Sequence, residues 1–82
     1  MGWNQIRYAK PSKLFDNIKD GEFFYFAHSF YVPMNEHSTS VCNYDVDFCA
    51  SMKKDNYYGV QFHPEKSGQA GIQLIKNFLE KC

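Results

Sequence analysis

Val60-Gln61-Phe62-His63-Pro64-Glu65-Lys66-Ser67 is the stretch on which the reading of this chain turns. The residue before a proline is driven toward extended backbone, and in extended chain residues i and i+2 point to the same side. Glu65 can then reach one ring nitrogen of His63, leaving the second nitrogen to exchange a proton with a nucleophile. Pro64 fixes its own φ and stiffens the pair. Spacing alone is equally compatible with an exposed loop pair that does no chemistry. Position favours the chemical reading: the pair follows an apolar strand and precedes a helix, and strand ends of this kind are where sites form in open α/β sheets.

Downstream, residues 68–82 carry a helical period. At about 100° per residue, Ile72, Leu74, Ile75, Phe78, Leu79 and Cys82 fall on one half of the wheel, and Gln73, Lys76, Asn77, Glu80 and Lys81 on the other. This predicts an amphipathic helix lying on a sheet. Upstream, Tyr57–Phe62 reads as the strand that feeds the motif, after a turn at Lys53–Asn56. Thr39–Cys42 and Val46–Met52 read as a hairpin around Asn43-Tyr44-Asp45. Its second strand has Val46, Phe48, Ala50 and Met52 on one face, the alternation of a half-exposed strand.

Pro33–Ser38 reads as a polar loop. Glu22–Val32 is apolar or aromatic on both faces, which predicts a strand inside a sheet covered on both sides. Asp20-Gly21 marks a tight turn. Ser12 is placed to cap a helical turn at Lys13–Ile18 that buries Leu14, Phe15 and Ile18. Ile6–Ala9 reads as a short first strand, stopped by Lys10-Pro11. The fold class is therefore α/β, with mostly antiparallel strands, then a strand, the His-Pro-Glu loop and a C-terminal amphipathic helix. No internal repeat or linker divides the chain.

The sequence has 82 residues, with nine Lys+Arg balanced by nine Asp+Glu. That suits a single unit below the usual size of a catalytic α/β domain. Zero formal charge and scattered lysines give no electrostatic case for nucleic acid or an anionic membrane. Eight Phe, six Tyr and one Trp need a large core or a partner surface. Trp3, beside Gly2, suits either. The apolar runs are too short for a membrane span. With no signal peptide, Cys42, Cys49 and Cys82 read as reduced structural thiols of a cytoplasmic protein.

A nucleophile for His63 should stand on a sharp strand-to-helix turn between small residues. Cys42 lies between Val41 and Asn43, Cys49 between Phe48 and Ala50, and Cys82 on the apolar face of the helix; none fits, and neither do the serines. His28, His37, Cys42 and Cys49 match no metal-ligand spacing. His28 reads as a buried histidine within a strand, and His37 as a solvated loop residue.

Gly59-Val60-Gln61-Phe62-His63-Pro64-Glu65 resembles the C-terminal signature of class I (triad-type) glutamine amidotransferases. With Lys66-Ser67, and with Met1-Gly2-Trp3-Asn4 and Phe26-Ala27-His28-Ser29 upstream, it is similar to the histidine-biosynthesis branch of that family. Branches serving anthranilate or GMP synthesis share His-Pro-Glu and usually lack Met-Gly-Trp-Asn. The resemblance spans essentially all 82 residues but only the last part of a family chain. It implies that residues 1–82 are the C-terminal part of one amidotransferase domain. The N-terminal parallel strands, the glycine-rich oxyanion segment and the Gly-x-Cys-x-Gly nucleophile turn are missing.

It further implies that His63 is the general base and acid and that Glu65 orients it. Ser29 and Phe30 match the segment that holds the glutamine substrate, although relatives often carry Tyr at position 30. Trp3, Asn4, Tyr25 and Lys66 match positions facing a (β/α)8-barrel cyclase, the other half of a heterodimer, which receives ammonia. No cofactor or metal is implied. The alternatives are a non-catalytic module that docks the barrel, and a glutaminase serving another synthase.

Overall fold

A computed structural model describes residues 2–27, 32–44 and 46–82. The expectations placed on His28, Ser29 and Phe30, and the tip of the hairpin at Asp45, lie outside the described residues. Five strands form one antiparallel sheet: β1 (Gly2–Tyr8), β2 (Phe23–Phe26), β3 (Ser38–Tyr44), β4 (Val46–Lys54) and β5 (Tyr57–Val60), in the spatial order β2-β1-β3-β4-β5. A helix, α1 (Gly68–Lys81), closes the chain, and short 3-10 turns occupy Lys13–Phe15 and Pro64–Lys66. The architecture is α/β, a curled antiparallel sheet with a C-terminal helix.

Local chemistry accounts for most of the elements. The Ser12 hydroxyl accepts from the Leu14 N–H and starts the first 3-10 turn. That turn and the residues after it bury Leu14, Phe15 and Ile18, as their spacing predicts. Gly21 takes a φ of +86°, open to glycine at no steric cost, and turns the chain into β2. Asp55-Asn56 is the tight turn between β4 and β5.

The core lies between one face of the sheet and α1. Ile6, Phe24, Phe26, Cys42, Phe48 and Ala50 come from the strands, and Leu14, Phe15, Phe62 and Leu74 close over them. Phe62 packs on Phe24 at 4.3 Å and on Phe26 at 5.6 Å between ring centroids. It ties the residue before His63 to the middle of β2.

Four expectations about the strands need correction. The first strand starts at Gly2 rather than Ile6, so Gly2-Trp3-Asn4 is sheet and not a lead-in. The 22–32 strand is described as strand only over Phe23–Phe26 and lies at the sheet's edge, with β1 on one side. Its outward residue Phe23 is 47% exposed. In β4, Val46 is exposed, while Cys49 and Ser51 are buried along with Phe48 and Ala50. The middle of that strand is covered on both faces, and the serine pairs its hydroxyl with Thr39 and Ser40. The strand after the Asp55 turn ends at Val60, and Phe62 enters the core from a bend.

The helix docks on a different face from the one periodicity assigns. Gly71, Leu74 and Asn77 point inward, while Ile72, Ile75, Phe78 and Leu79 are exposed. Two contacts explain the rotation. A Cβ on Gly71 would lie 1.9 Å from the Pro64 carbonyl oxygen, so only glycine lets the helix seat there. The Asn77 amide donates to the carbonyls of Leu14 (2.9 Å) and Asp16 (2.6 Å), satisfying the end of the first 3-10 turn. Cys82, expected on the buried side, is exposed.

Candidate active site

His63 sits where β5 has ended and the Pro64–Lys66 turn begins, with extended backbone (φ −102°, ψ 97°). Pro64 starts the 3-10 turn, where its missing N–H costs nothing. Glu65 is therefore not two residues along a strand. It is brought round by the helical turn, and its Oε2 stands 3.1 Å from His63 Nδ1. The pairing expected from spacing forms, by a different backbone route. Both side chains keep solvent contact, at 32% exposure for His63 and 59% for Glu65.

Backbone hydrogen bonding within the turn holds the Glu65 carboxyl below the ordinary glutamate range. Desolvation is the next largest influence and opposes this, and the His63 hydrogen bond and charge and the Lys66 charge add smaller contributions to the lowering. An ionised carboxylate can only accept, so Nδ1 carries the proton of the bond. That tautomer places the lone pair of a neutral ring on Nε2, the arrangement of a base fixed by an acid.

The turn is fastened to the edge of β2. The His63 N–H donates to the Tyr25 carbonyl at 2.8 Å, and the Tyr25 N–H donates to Ser67 Oγ at 2.9 Å. Tyr25 lies opposite Trp3 in the β1–β2 register. The two rings meet edge-on, with centroids 5.9 Å apart at 75°. Trp3, Tyr25 and His63 thus follow one another across neighbouring strands and the turn. Trp3 is exposed at 53%, Asn4 and Tyr25 are half-buried, and Lys66 is exposed beside the pair. Trp3, Asn4, Arg7 and Phe23 line an open concavity of about 600 Å³ on the sheet, which Asn43 and Asp47 border.

The cysteines have other surroundings. Burial, with a smaller push from Asp47, raises the Cys42 thiol to about 11, so it is protonated at neutral pH. Cys49 is buried and its thiol donates to the Ser51 carbonyl. Cys82 follows the far end of α1, about 20 Å along the axis from the turn. Among the described residues no group of three His, Cys, Asp or Glu side chains could hold a metal ion. No helix there is long and apolar enough to cross a membrane.

Sequence reasoning did not single out Ser67, Gly71 or Asn77. The available signal was the spacing Gly71, Leu74, Asn77, a stripe of steps of three that competes with the larger apolar residues beside it.

The profile of class-I glutamine amidotransferases matches residues 1–82. The chain belongs to that family. Relatives within it named imidazole glycerol phosphate synthase subunit HisH include one from Haemophilus influenzae, 53% identical over 81 residues. Those from Buchnera aphidicola and Escherichia coli are 54% and 52% identical over 80 residues. These matches cover 98% or 99% of this amidotransferase chain and 41% of each relative. The chain thus spans about two fifths of the length of the curated relatives it matches.

Proposed function

We propose that these residues are the C-terminal part of the glutaminase subunit of an imidazole glycerol phosphate synthase. It hydrolyses glutamine to glutamate and ammonia for a (β/α)8-barrel cyclase in histidine biosynthesis, in the cytoplasm. The observation that carries the proposal is the His63–Glu65 pair at 3.1 Å, in a chain 52% to 54% identical to subunits of that synthase.

In this reading a cysteine thiol from outside these residues passes its proton to His63 and attacks the glutamine carboxamide as the thiolate. His63, held in its tautomer by Glu65, gives a proton to the departing ammonia as the thioester forms. It then takes a proton from the water that attacks the thioester, and glutamate leaves as the thiol is restored. Ser29 and Phe30 hold the glutamine. Trp3, Asn4, Tyr25 and Lys66 face the cyclase, where the exposed Lys66 ammonium suits an ion pair with an acidic group.

Replacing His63 with alanine in the complete enzyme tests this. Glutamine-dependent synthesis should fall by at least about a hundredfold, while synthesis from added ammonia continues. Loss of both would assign His63 to folding or docking, the role a non-catalytic module would give it. The 82-residue chain alone should show no glutaminase turnover; activity that disappears on replacing Cys42 or Cys49 would overturn the proposal.

A further inference from the structure

Ser67 stands at the N-cap of α1, where a serine ordinarily accepts a hydrogen bond from an N–H of the first helical turn. Here its hydroxyl makes no such bond. It donates instead to the His63 carbonyl at 2.6 Å and accepts from the Tyr25 N–H at 2.9 Å. One oxygen both donates and accepts, which a hydroxyl can do and a methyl cannot. The residue is 2% exposed, so water cannot stand in for either partner.

The geometry has a reason. An edge strand offers its N–H and C=O to whatever lies alongside. The His63 N–H takes the Tyr25 carbonyl, as a neighbouring strand would. A neighbouring strand would then supply a carbonyl for the Tyr25 N–H, but at Pro64 the chain turns into the 3-10 segment instead. The Ser67 side chain supplies the missing acceptor. Behind it, Gly71 leaves room for the Pro64 carbonyl to sit against α1. Both backbone ends of His63 are thereby fixed to β2, one directly and one through Ser67.

We infer that Ser67 is a positioning residue for His63, its hydroxyl bridging the edge of β2 and the His63 carbonyl so that the imidazole is held in one place. The inference rests on the reading of His63 as the glutaminase base. A ring displaced by about an ångström can lose on the order of a hundredfold in rate without any change at the reacting atoms.

The test uses the complete glutaminase assembled with its cyclase, comparing Ser67→Ala with His63→Ala. For Ser67→Ala, kcat with glutamine should fall about 10- to 100-fold. The KM for glutamine should stay within about threefold and ammonia-dependent synthesis within about twofold, since neither depends on where the ring points. A Ser67→Ala enzyme that uses glutamine at the unmodified rate, while His63→Ala is inactive, overturns the positioning role and leaves the function standing. An active His63→Ala overturns the function itself. Parallel loss of glutamine- and ammonia-dependent activity in Ser67→Ala reduces Ser67 to a fold-holding residue and also overturns the inference.

Should Ser67→Ala not assemble, amide hydrogen exchange on the unmodified protein decides. The Tyr25 N–H should exchange as slowly as the amides of β2 that pair with β1. Exchange at the rate of a solvated edge amide would show that the bridge does not form.

Discussion

Glu65 and His63 make a contact whose protonation can be followed directly. The Glu65 carboxyl is held low chiefly by a hydrogen bond from the backbone of its own turn, then by His63 and Lys66. For a carboxyl with a lowered folded value, the stabilisation is present above the unfolded value and disappears as pH falls through the folded one. Carbon NMR of the side-chain carboxyl should therefore give a Glu65 midpoint below that of an ordinary glutamate. Neutralising the Lys66 charge by Lys66→Met should move it up by less than unfolding the turn does. A midpoint at the ordinary value would mean that the turn does not cradle the carboxylate. At this scale the sequence was informative: the spacing His63-Pro64-Glu65 announced that the two side chains would meet. The route was less legible, because Glu65 can reach His63 either along a continued extended segment or from a 3-10 turn that begins at Pro64 after an extended His63.

At the scale of elements, α1 sets local periodicity against tertiary hydrogen bonding. Its count of large apolar residues favours one face, and the buried face is another, fixed by Gly71 and Asn77. Asn77 donates to the carbonyls of Leu14 and Asp16, and Gln73 donates to its side-chain oxygen. Asn77→Ala leaves the buried Leu14 carbonyl without that donor and should destabilise the fold by about 2 kcal/mol, read as a fall in Tm of roughly 10 °C. Ile72→Ala, at an exposed position, should cost less than about 0.5 kcal/mol. The reverse order in thermal melts would restore the orientation that the helical wheel assigns. Periodicity could not give the answer because the partners of Asn77 lie 61 and 63 residues away. Where partners were local, as with the Ser12 cap or the Gly21 turn, the sequence was sufficient. The central position expected for the 22–32 strand is not taken by Phe23–Phe26, for a similar reason. Two apolar faces show that both need cover, but not which neighbour supplies it, and the edge of Tyr25 is taken up by the turn.

The whole molecule keeps one side dry and leaves another greasy. Ile72, Ile75, Phe78 and Leu79 lie exposed on α1, with Leu79 at 77%, and Ile75 and Phe78 border a small apolar groove with Val60 and Pro64. Clustered apolar exposure of this kind favours association. The 82-residue chain by itself should sediment as oligomers at micromolar concentration, and Phe78→Glu with Leu79→Lys should shift it toward monomer. Sedimentation velocity checks this; a monomeric unmodified chain would show that the face is tolerated in water. That a short chain rich in aromatics would leave apolar surface outside was legible in the composition. Which residues would be left outside depended on how the helix seated.

The bond from Asn77 to the first turn also has a consequence in time. A ribosome adds about 5–20 residues per second, and 61 residues separate Asp16 from Asn77. The sheet can therefore emerge and begin pairing while the carbonyls of the first turn wait roughly 3–12 s for their donor. Through that interval Leu14 and Phe15 lack the cover that Leu74 and the rest of α1 later give them.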